Sequence, residues 1–342
     1  MAKIAIIGTG LIGTSLALAL RQSSLRDLEV VGTDADRQAR SGAEKRKAFH
    51  RVENRLYNTI GGADIVVLAT PVLAMKEVME LIGPELVEGC VVTDVGSSKK
   101  VVLEWAAQIL PKTVDFVGGH PMSGKEEAGP EAAEADLFQG KTYCVVPSAG
   151  VSQQAVGEVT TMIEAIGAIP YFIGVEEHDS FVAAASHLPF LLSTALVGCT
   201  SKSANWEDIA QLASTGYRDI TRLASGDSVM HRDICLTNSQ PIVSWIDAFI
   251  KELYEFRKIL EAEPHPDGEV VKGVFDQVAD ARASWLAGEA TAKARMATRN
   301  QEAMPSFGES MQSMFMGDIG RKLLQGNKAM FKGSGGREKD RR

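Results

Sequence analysis

Three glycines near the N-terminus constrain this chain more than any other feature. Lys3-Ile-Ala-Ile-Ile-Gly8-Thr-Gly10-Leu-Ile-Gly13-Thr-Ser reads as a short buried strand, a glycine turn and the start of a helix. The spacing is G-x-G-x-x-G. Gly8 permits the tight turn, Gly10 lets the backbone approach a pyrophosphate, and Gly13 lets the helix sit close to its strand. Phosphates would lie at the helix start, beside Leu11 and Ile12, where free N–H groups and the helix dipole favour negative charge. A second apolar run, Glu29-Val-Val-Gly-Thr33, ends at Asp34. That acid falls about twenty residues past the last glycine, where a dinucleotide-binding unit places its ribose-binding carboxylate. Asp34 accepts bonds from a free ribose hydroxyl and repels an added phosphate, which favours NAD over NADP even though Arg37 and Arg40 follow. The alternative is a strand-turn-helix with no ligand.

Downstream, strands and helices alternate. Asp64-Ile-Val-Val-Leu-Ala-Thr70-Pro71 is continuously apolar and β-branched, as buried parallel strands are. Val91–Asp94, Phe116–Gly119, Tyr143–Val146 and Ile169–Ile173 repeat the pattern, and the charged stretch from Asp34 to about Asn54 reads as mostly helical. This order predicts an α/β Rossmann-type, doubly wound, mainly parallel sheet. After Gly174 the strand pattern stops, and the rest predicts an all-helical C-terminal domain, with Pro189 kinking or breaking its first helix. The expected division is a dinucleotide-binding domain over 1–174 and a helical substrate and dimerisation domain over 175–304. A helical extension with a disordered tail is expected over 305–342. With 342 residues, two domains are expected in any case.

A formal charge of −8 argues against nucleic acid as the main partner. No signal peptide is read at the start, and no uninterrupted apolar run approaches the roughly 18–20 residues of a membrane span. The four cysteines form no C-x-x-C pair, so neither structural zinc nor a disulfide framework is expected. A reducing cytoplasm is the simplest compartment. Long apolar helices suggest a homodimer, although such faces can equally be covered within one subunit.

Ligands of open α/β sheets lie at the carboxyl ends of the strands. Three groups fall there: Thr70-Pro71, Ser97-Ser98 and Gly118-Gly-His120-Pro121. His120 is the best acid/base candidate, since imidazole accepts a proton near neutral pH. Ser97 can hold a substrate hydroxyl or the imidazole, or cap the helix after it. Lys99 and Lys100 read as a solvated helix face. His187, beside Pro189, is either functional or a buried structural histidine. In Arg218-Asp219-Ile-Thr-Arg222 the arginines share a helix face, so one could clamp a carboxylate, or they could pair with Asp219 on the surface. His231, Arg232 and Asp233 could join the same polar cluster.

Together these motifs resemble the prephenate/arogenate dehydrogenases of tyrosine biosynthesis, from the first strand to about Leu260. The resemblance rests on Gly8-Thr-Gly10-Leu-Ile-Gly13, Asp94-Val-Gly-Ser97, Gly118-Gly-His120-Pro-Met-Ser-Gly-Lys-Glu126, Ser186-His187-Leu-Pro189 and Arg218-Asp219-Ile-Thr-Arg222. It implies an NAD domain followed by a helical dimerisation domain; the fused chorismate mutase or regulatory ACT domain of some relatives is not expected, because the first strand starts almost at once and the segment after Pro264 reads as helix plus tail. His120 then matches the catalytic histidine, and Ser97 a serine that assists it and the nicotinamide. Glu126, His187, Asp219 and Arg222 match the substrate pocket, with Arg222 as the carboxylate-binding arginine. Ser123, Lys125 and His231 depart from the family pattern. The implied reaction is NAD-dependent oxidative decarboxylation of prephenate. Arogenate is the alternative substrate, with Glu126 able to pair with its ammonium and Lys125 opposing it. A β-hydroxyacid dehydrogenase would need a catalytic lysine motif that is absent, Lys202 being a poor substitute. A non-catalytic NAD-binding protein would not need the Ser97, His120 and Arg222 set.

Overall fold

The computed structural model describes residues 1–302, with side chains described to Leu286 and its immediate neighbours. The extension and tail expected over 305–342 lie outside the described residues. The described chain forms two compact units, Met1–Asn238 and a second beginning at Ser239.

The first unit is built on an eight-stranded sheet of order β3-β2-β1-β4-β5-β6-β7-β8. Its strands are β1 (Ala2–Ile7), β2 (Leu28–Thr33), β3 (Arg51–Val52), β4 (Ile65–Leu68), β5 (Val91–Asp94), β6 (Asp115–Pro121), β7 (Thr142–Pro147) and β8 (Ile169–Phe172). All neighbours are parallel except β6 and β7, where His120 lies opposite Cys144. The order reverses between β1 and β4, and the crevice outside that switch point is where such sheets bind ligands.

Side chains alternate across the sheet and so feed two cores. Ile4 and Ile6 of β1 pack with Leu16 and Leu20 of α1 (Leu11–Gln22) and with Val159 and Ile163 of α6 (Gln153–Ala165). Ala5 and Ile7 face the opposite core, with Met75 and Met79 of α4 (Val72–Ile82) and Val102 of α5 (Lys100–Ile109). The expected helix after Asp34 is shorter than the sequence suggests. α2 covers Arg37–Lys45, the two-residue strand β3 follows, and α3 spans Leu56–Ile60. So short an edge strand is held by pairing with Val31 and Gly32, and it carries no periodicity to detect.

The sheet unit also includes five helices: α7 (Val175–Val182), α8 (Leu188–Thr200), α9 (Trp206–Leu212), α10 (Thr215–Thr221) and α11 (Ser228–Thr237). Pro189 does not break the chain's helical path. Lacking an N–H, it cannot bond the carbonyl of Ala185, and the helix widens into a π turn over Ala183–His187 in which Leu188 donates to the Ala183 carbonyl. The resulting helix, Val175–Thr200, is long and apolar enough to cross a membrane by length and composition, with a mean hydropathy of 1.6. Its buried His178, Asp179, His187 and Ser193 are polar and are bonded inside this unit. The second unit holds α12 (Ser239–Leu260) and α13 (Gly268–Glu302).

Candidate active site

The glycine loop is closed below and open above. Gly8 has φ +107°, and a Cβ there would run into the Ala69 carbonyl, while a Cβ on Gly13 would run into the carbonyl of Gly8. A Cβ on Gly10 would meet nothing within 4 Å. Gly10 is the N-cap of α1 and supplies no side-chain cap, so the first-turn N–H groups, including those of Leu11 and Ile12, face the open side. Asp34, just past β2, accepts from the Thr9 amide at 2.6 Å and the Asp36 amide at 2.9 Å. Arg40 bonds the backbone carbonyl of Asp34. At the end of β4, the Thr70 hydroxyl is buried without a partner among the described residues, and Pro71 is the N-cap of α4. Unspent donors, free space at Gly10 and a carboxylate fixed beside the loop together fit a dinucleotide such as NAD.

His120 sits near the end of β6 and is 7 % exposed. Its Nδ1 lies 3.0 Å from His178 Nε2, and His178 Nδ1 lies 2.8 Å from Asp179 Oδ1. Asp179 also accepts the amides of Lys99 at 2.8 Å and Lys100 at 3.0 Å, so a carboxylate from α7 caps α5. Ser97 therefore does not cap that helix, because the start lies two residues later and a distant residue meets its orphan donors. Ser97 is half-buried at the same sheet edge, next to Ser98, whose hydroxyl lies 2.7 Å from that of Thr237.

Lys99 is not on a solvated face. It is fully buried and paired with Asp94 at the end of β5, which also accepts the amides of Gly96 at 2.8 Å and Gly119 at 3.1 Å. A buried ammonium is tolerated there because the carboxylate is adjacent and itself well bonded. Lys100 remains exposed, paired with Glu176. Burial first, then the charges of His178, Lys99 and His187, hold the His120 imidazole well below the ordinary histidine range. It is neutral at pH 7, as a proton acceptor must be.

The π turn directs His187 into the interior, where it is fully buried. Asn238 donates to its Nδ1 at 3.1 Å and to the Asp179 carbonyl at 2.8 Å. With Nδ1 accepting, the ring proton sits on Nε2, a buried donor without a partner among the described residues. Burial lowers the His187 pKa to about 4, so it serves as a neutral donor. Such an orphan suits an acceptor oxygen of a ligand.

Arg222, which follows α10, is ion-paired with Glu126 from the loop after β6, joining two residues nearly a hundred positions apart in sequence. Asp219 is exposed on α10 and makes no hydrogen bond or ion pair among the described residues. Lys125 pairs with Glu134 and bonds the Ala132 carbonyl at 3.2 Å, so its charge is already met. His231 stacks on Phe190 at 4.2 Å between centroids. Asp233 caps α4, accepting the Leu73 amide at 3.2 Å. His178 and Asp179 escape notice in the sequence, where they follow Glu176 and Glu177, ordinary acids of a first helical turn. The adjacent His-Asp pair beside an apolar run is the only sign of them.

Two family models match the chain: "Prephenate dehydrogenase, nucleotide-binding domain" over residues 16–171 and "Prephenate dehydrogenase, dimerization domain" over residues 174–273. The chain is 34 % identical over 264 residues to a prephenate dehydrogenase of Bacillus subtilis (strain 168), covering 76 % of this chain and 70 % of that one. It is 31 % identical to a cyclohexadienyl dehydrogenase of Zymomonas mobilis, covering 82 % of this chain and 94 % of that one. Among solved structures, it is similar to prephenate dehydrogenase from A. aeolicus in complex with hydroxyphenyl propionate and NAD+. That match has a TM-score of 0.76 and 28 % identity, over 83 % of this chain and 98 % of that one. Arogenate dehydrogenase of Synechocystis matches with a TM-score of 0.69 and 26 % identity, over 83 % and 99 % of the two chains.

Proposed function

We propose, from the premise that the chain belongs to the prephenate dehydrogenase family, that the residues gathered around His120 carry out an oxidation and decarboxylation of prephenate. The chain is an NAD-dependent oxidoreductase of tyrosine biosynthesis. The observation that carries the residue roles is the buried, neutral His120, with Nδ1 engaged by His178 and Nε2 left to the substrate side.

NAD, when bound, supplies the acceptor for the hydride on the hydroxyl-bearing ring carbon. Gly8, Gly10, Leu11, Ile12 and Gly13 would hold its phosphates and Asp34 its ribose, with Thr70 and Pro71 beside the nicotinamide end. His120 takes the hydroxyl proton, which raises electron density on the departing carbon–hydrogen bond. Ser97 orients that hydroxyl. Arg222 holds a substrate carboxylate, and the neutral Nε2–H of His187 donates to a substrate oxygen. Loss of the ring carboxylate makes the ring aromatic, so the protein's task is orientation and charge placement. Asp219, exposed on α10 three residues before Arg222, would join the same pocket.

Prephenate is favoured over arogenate because Arg222 already meets the Glu126 charge, while its guanidinium, with five N–H donors, still has donors for a substrate carboxylate. Lys125, paired with Glu134, takes no part in the choice. The proposed domain division is 1–174 for the cofactor and 175–304 for substrate and dimer, with His120, Ser97 and Glu126 of the first completing the substrate pocket. A homodimer is supported by the apolar residues exposed on α12 and α13, among them Ile250, Leu253, Phe275 and Val278. No nucleic-acid or membrane partner is proposed, and the cytoplasm is the proposed compartment. The test is reduced-nicotinamide formation with prephenate and arogenate, each with NAD and NADP. Turnover should be fastest with prephenate and NAD. Preference for arogenate would overturn the substrate assignment.

A further inference from the structure

His178 lies behind the reacting histidine, and nothing in the proposed chemistry uses it. It is fully buried, and its ring is bonded at both nitrogens, to His120 at 3.0 Å and to Asp179 at 2.8 Å. We propose that the His178–Asp179 pair is a positioning device that fixes His120 in the one tautomer able to accept the substrate's proton.

Donors and acceptors run in a chain from Asp179 to His120. Asp179 is ionised: burial pushes its pKa up, but bonds from His178 and the Lys100 and Lys99 amides more than offset this and hold it low. An ionised carboxylate only accepts, so His178 Nδ1 must carry a proton. In a neutral ring the other nitrogen, Nε2, is then an acceptor. His120 Nδ1 must therefore donate, and its Nε2 is left with a lone pair and no proton. Without this chain, either ring nitrogen of His120 could carry the proton, and the form with Nε2–H cannot take another there.

The geometry of the carboxylate explains why it does not wander. Its two oxygens are held by consecutive amides at the start of α5, and the Asp179 carbonyl is held by Asn238 at 2.8 Å. The same Asn238 amide bonds His187 at 3.1 Å. One carboxylate on α7 thus caps a sheet helix and sets a proton's position at the end of β6. In the reaction the proton leaves the substrate hydroxyl and ends on His120 Nε2. No proton passes to His178 or Asp179. The bonded acceptor at Nδ1 stabilises the imidazolium that forms.

The charged and titratable groups bearing on His120 are His178 and Asp179 from α7, His187 from the π turn, Lys99 before α5 with its partner Asp94, and Cys144 across the β6–β7 ladder. Lys99 and His178 both lower the His120 pKa, although the bond to His178 Nε2 favours the protonated ring. Replacing His178 with leucine removes both effects of that ring and should displace the acid limb of the kcat/KM profile.

This inference rests on the reading of His120 as proton acceptor, and the experiment separates the two. Turnover, NAD binding and pH profiles would be measured for the full chain and for His120→Asn, His178→Leu and His178→Gln. His178→Leu should lower kcat about 100-fold, while KM for prephenate and NAD stays within about threefold. Gln, whose carbonyl can still accept from His120 Nδ1–H, should recover most of that loss. Unchanged kcat and pH profile in His178→Leu, with His120→Asn inactive, would overturn the positioning role alone. An active His120→Asn would overturn the reading beneath it. Should His178→Leu not fold, 15N NMR of histidine-labelled wild-type protein decides: the account requires Nδ1–H on both His120 and His178, and Nε2–H on His120 contradicts it.

Discussion

The two sides of the crevice are built from different materials. The proposed cofactor side is backbone: a turn that only glycine can make at Gly8, a close approach at Gly13, and open donors around Gly10. The proposed substrate side is side chains: His120 from β6, His178 and Asp179 from α7, His187 from a π turn, and Arg222 paired with Glu126. A backbone site is written in a dozen consecutive residues. A side-chain site depends on segments that meet only after folding.

That contrast predicts different failures on the two sides. The largest effect belongs to His120→Asn, which should cut kcat with prephenate about 1000-fold while the Kd for NAD stays within about twofold. A parallel loss of NAD affinity, read by titration, would blur the division. Next, Arg222→Ala should raise KM for prephenate by about 10- to 100-fold, with a smaller change in kcat, because it removes a charge-assisted bond to a carboxylate. Initial rates against prephenate at saturating NAD check this.

On the other side, Gly10→Ala places a methyl in open space, so the folded state should keep its Tm. NAD affinity should fall about tenfold, because the methyl stands where the pyrophosphate backbone contact forms. Gly13→Ala, which meets the Gly8 carbonyl, should instead lose stability. Equal melting of both variants would show that the loop is looser than its geometry.

The smallest effect is on stability against pH. His187 has a folded-state pKa of about 4, below the ordinary unfolded value near 6.5. The unfolded chain therefore binds the proton first as pH falls. The contribution is fully present above about pH 6.5 and is lost progressively as pH falls towards 4. Between pH 7 and 5 this costs roughly 1–2 kcal/mol. Urea midpoints at the two values, for wild type and His187→Gln, should show a shallower dependence in the variant.

The same division explains what the sequence reveals. The glycine spacing, Asp34, the parallel strands and His120 at a strand end are all local, and each sits in the structure at the sheet edge that the pattern indicates. Lys99 reads as a surface residue because its partner Asp94 cannot be assigned from spacing alone, and burial decides its meaning. The cap of α5 is sought among neighbouring serines, yet it comes from Asp179, 80 residues away. Asp233 caps α4 across 160 residues in the same manner. Pro189 reads as a break because its missing donor is visible in sequence, whereas the π turn that absorbs the loss depends on His187 and its buried surroundings.

The most direct test of the separation is a double-mutant cycle between Gly10→Ala and Arg222→Ala, read as kcat/KM for prephenate at a fixed NAD concentration. If a backbone cofactor site and a side-chain substrate site act independently, the two losses add, with a coupling below about 0.5 kcal/mol. A coupling well above about 1 kcal/mol would mean that the two sides form one network, and would contradict the account.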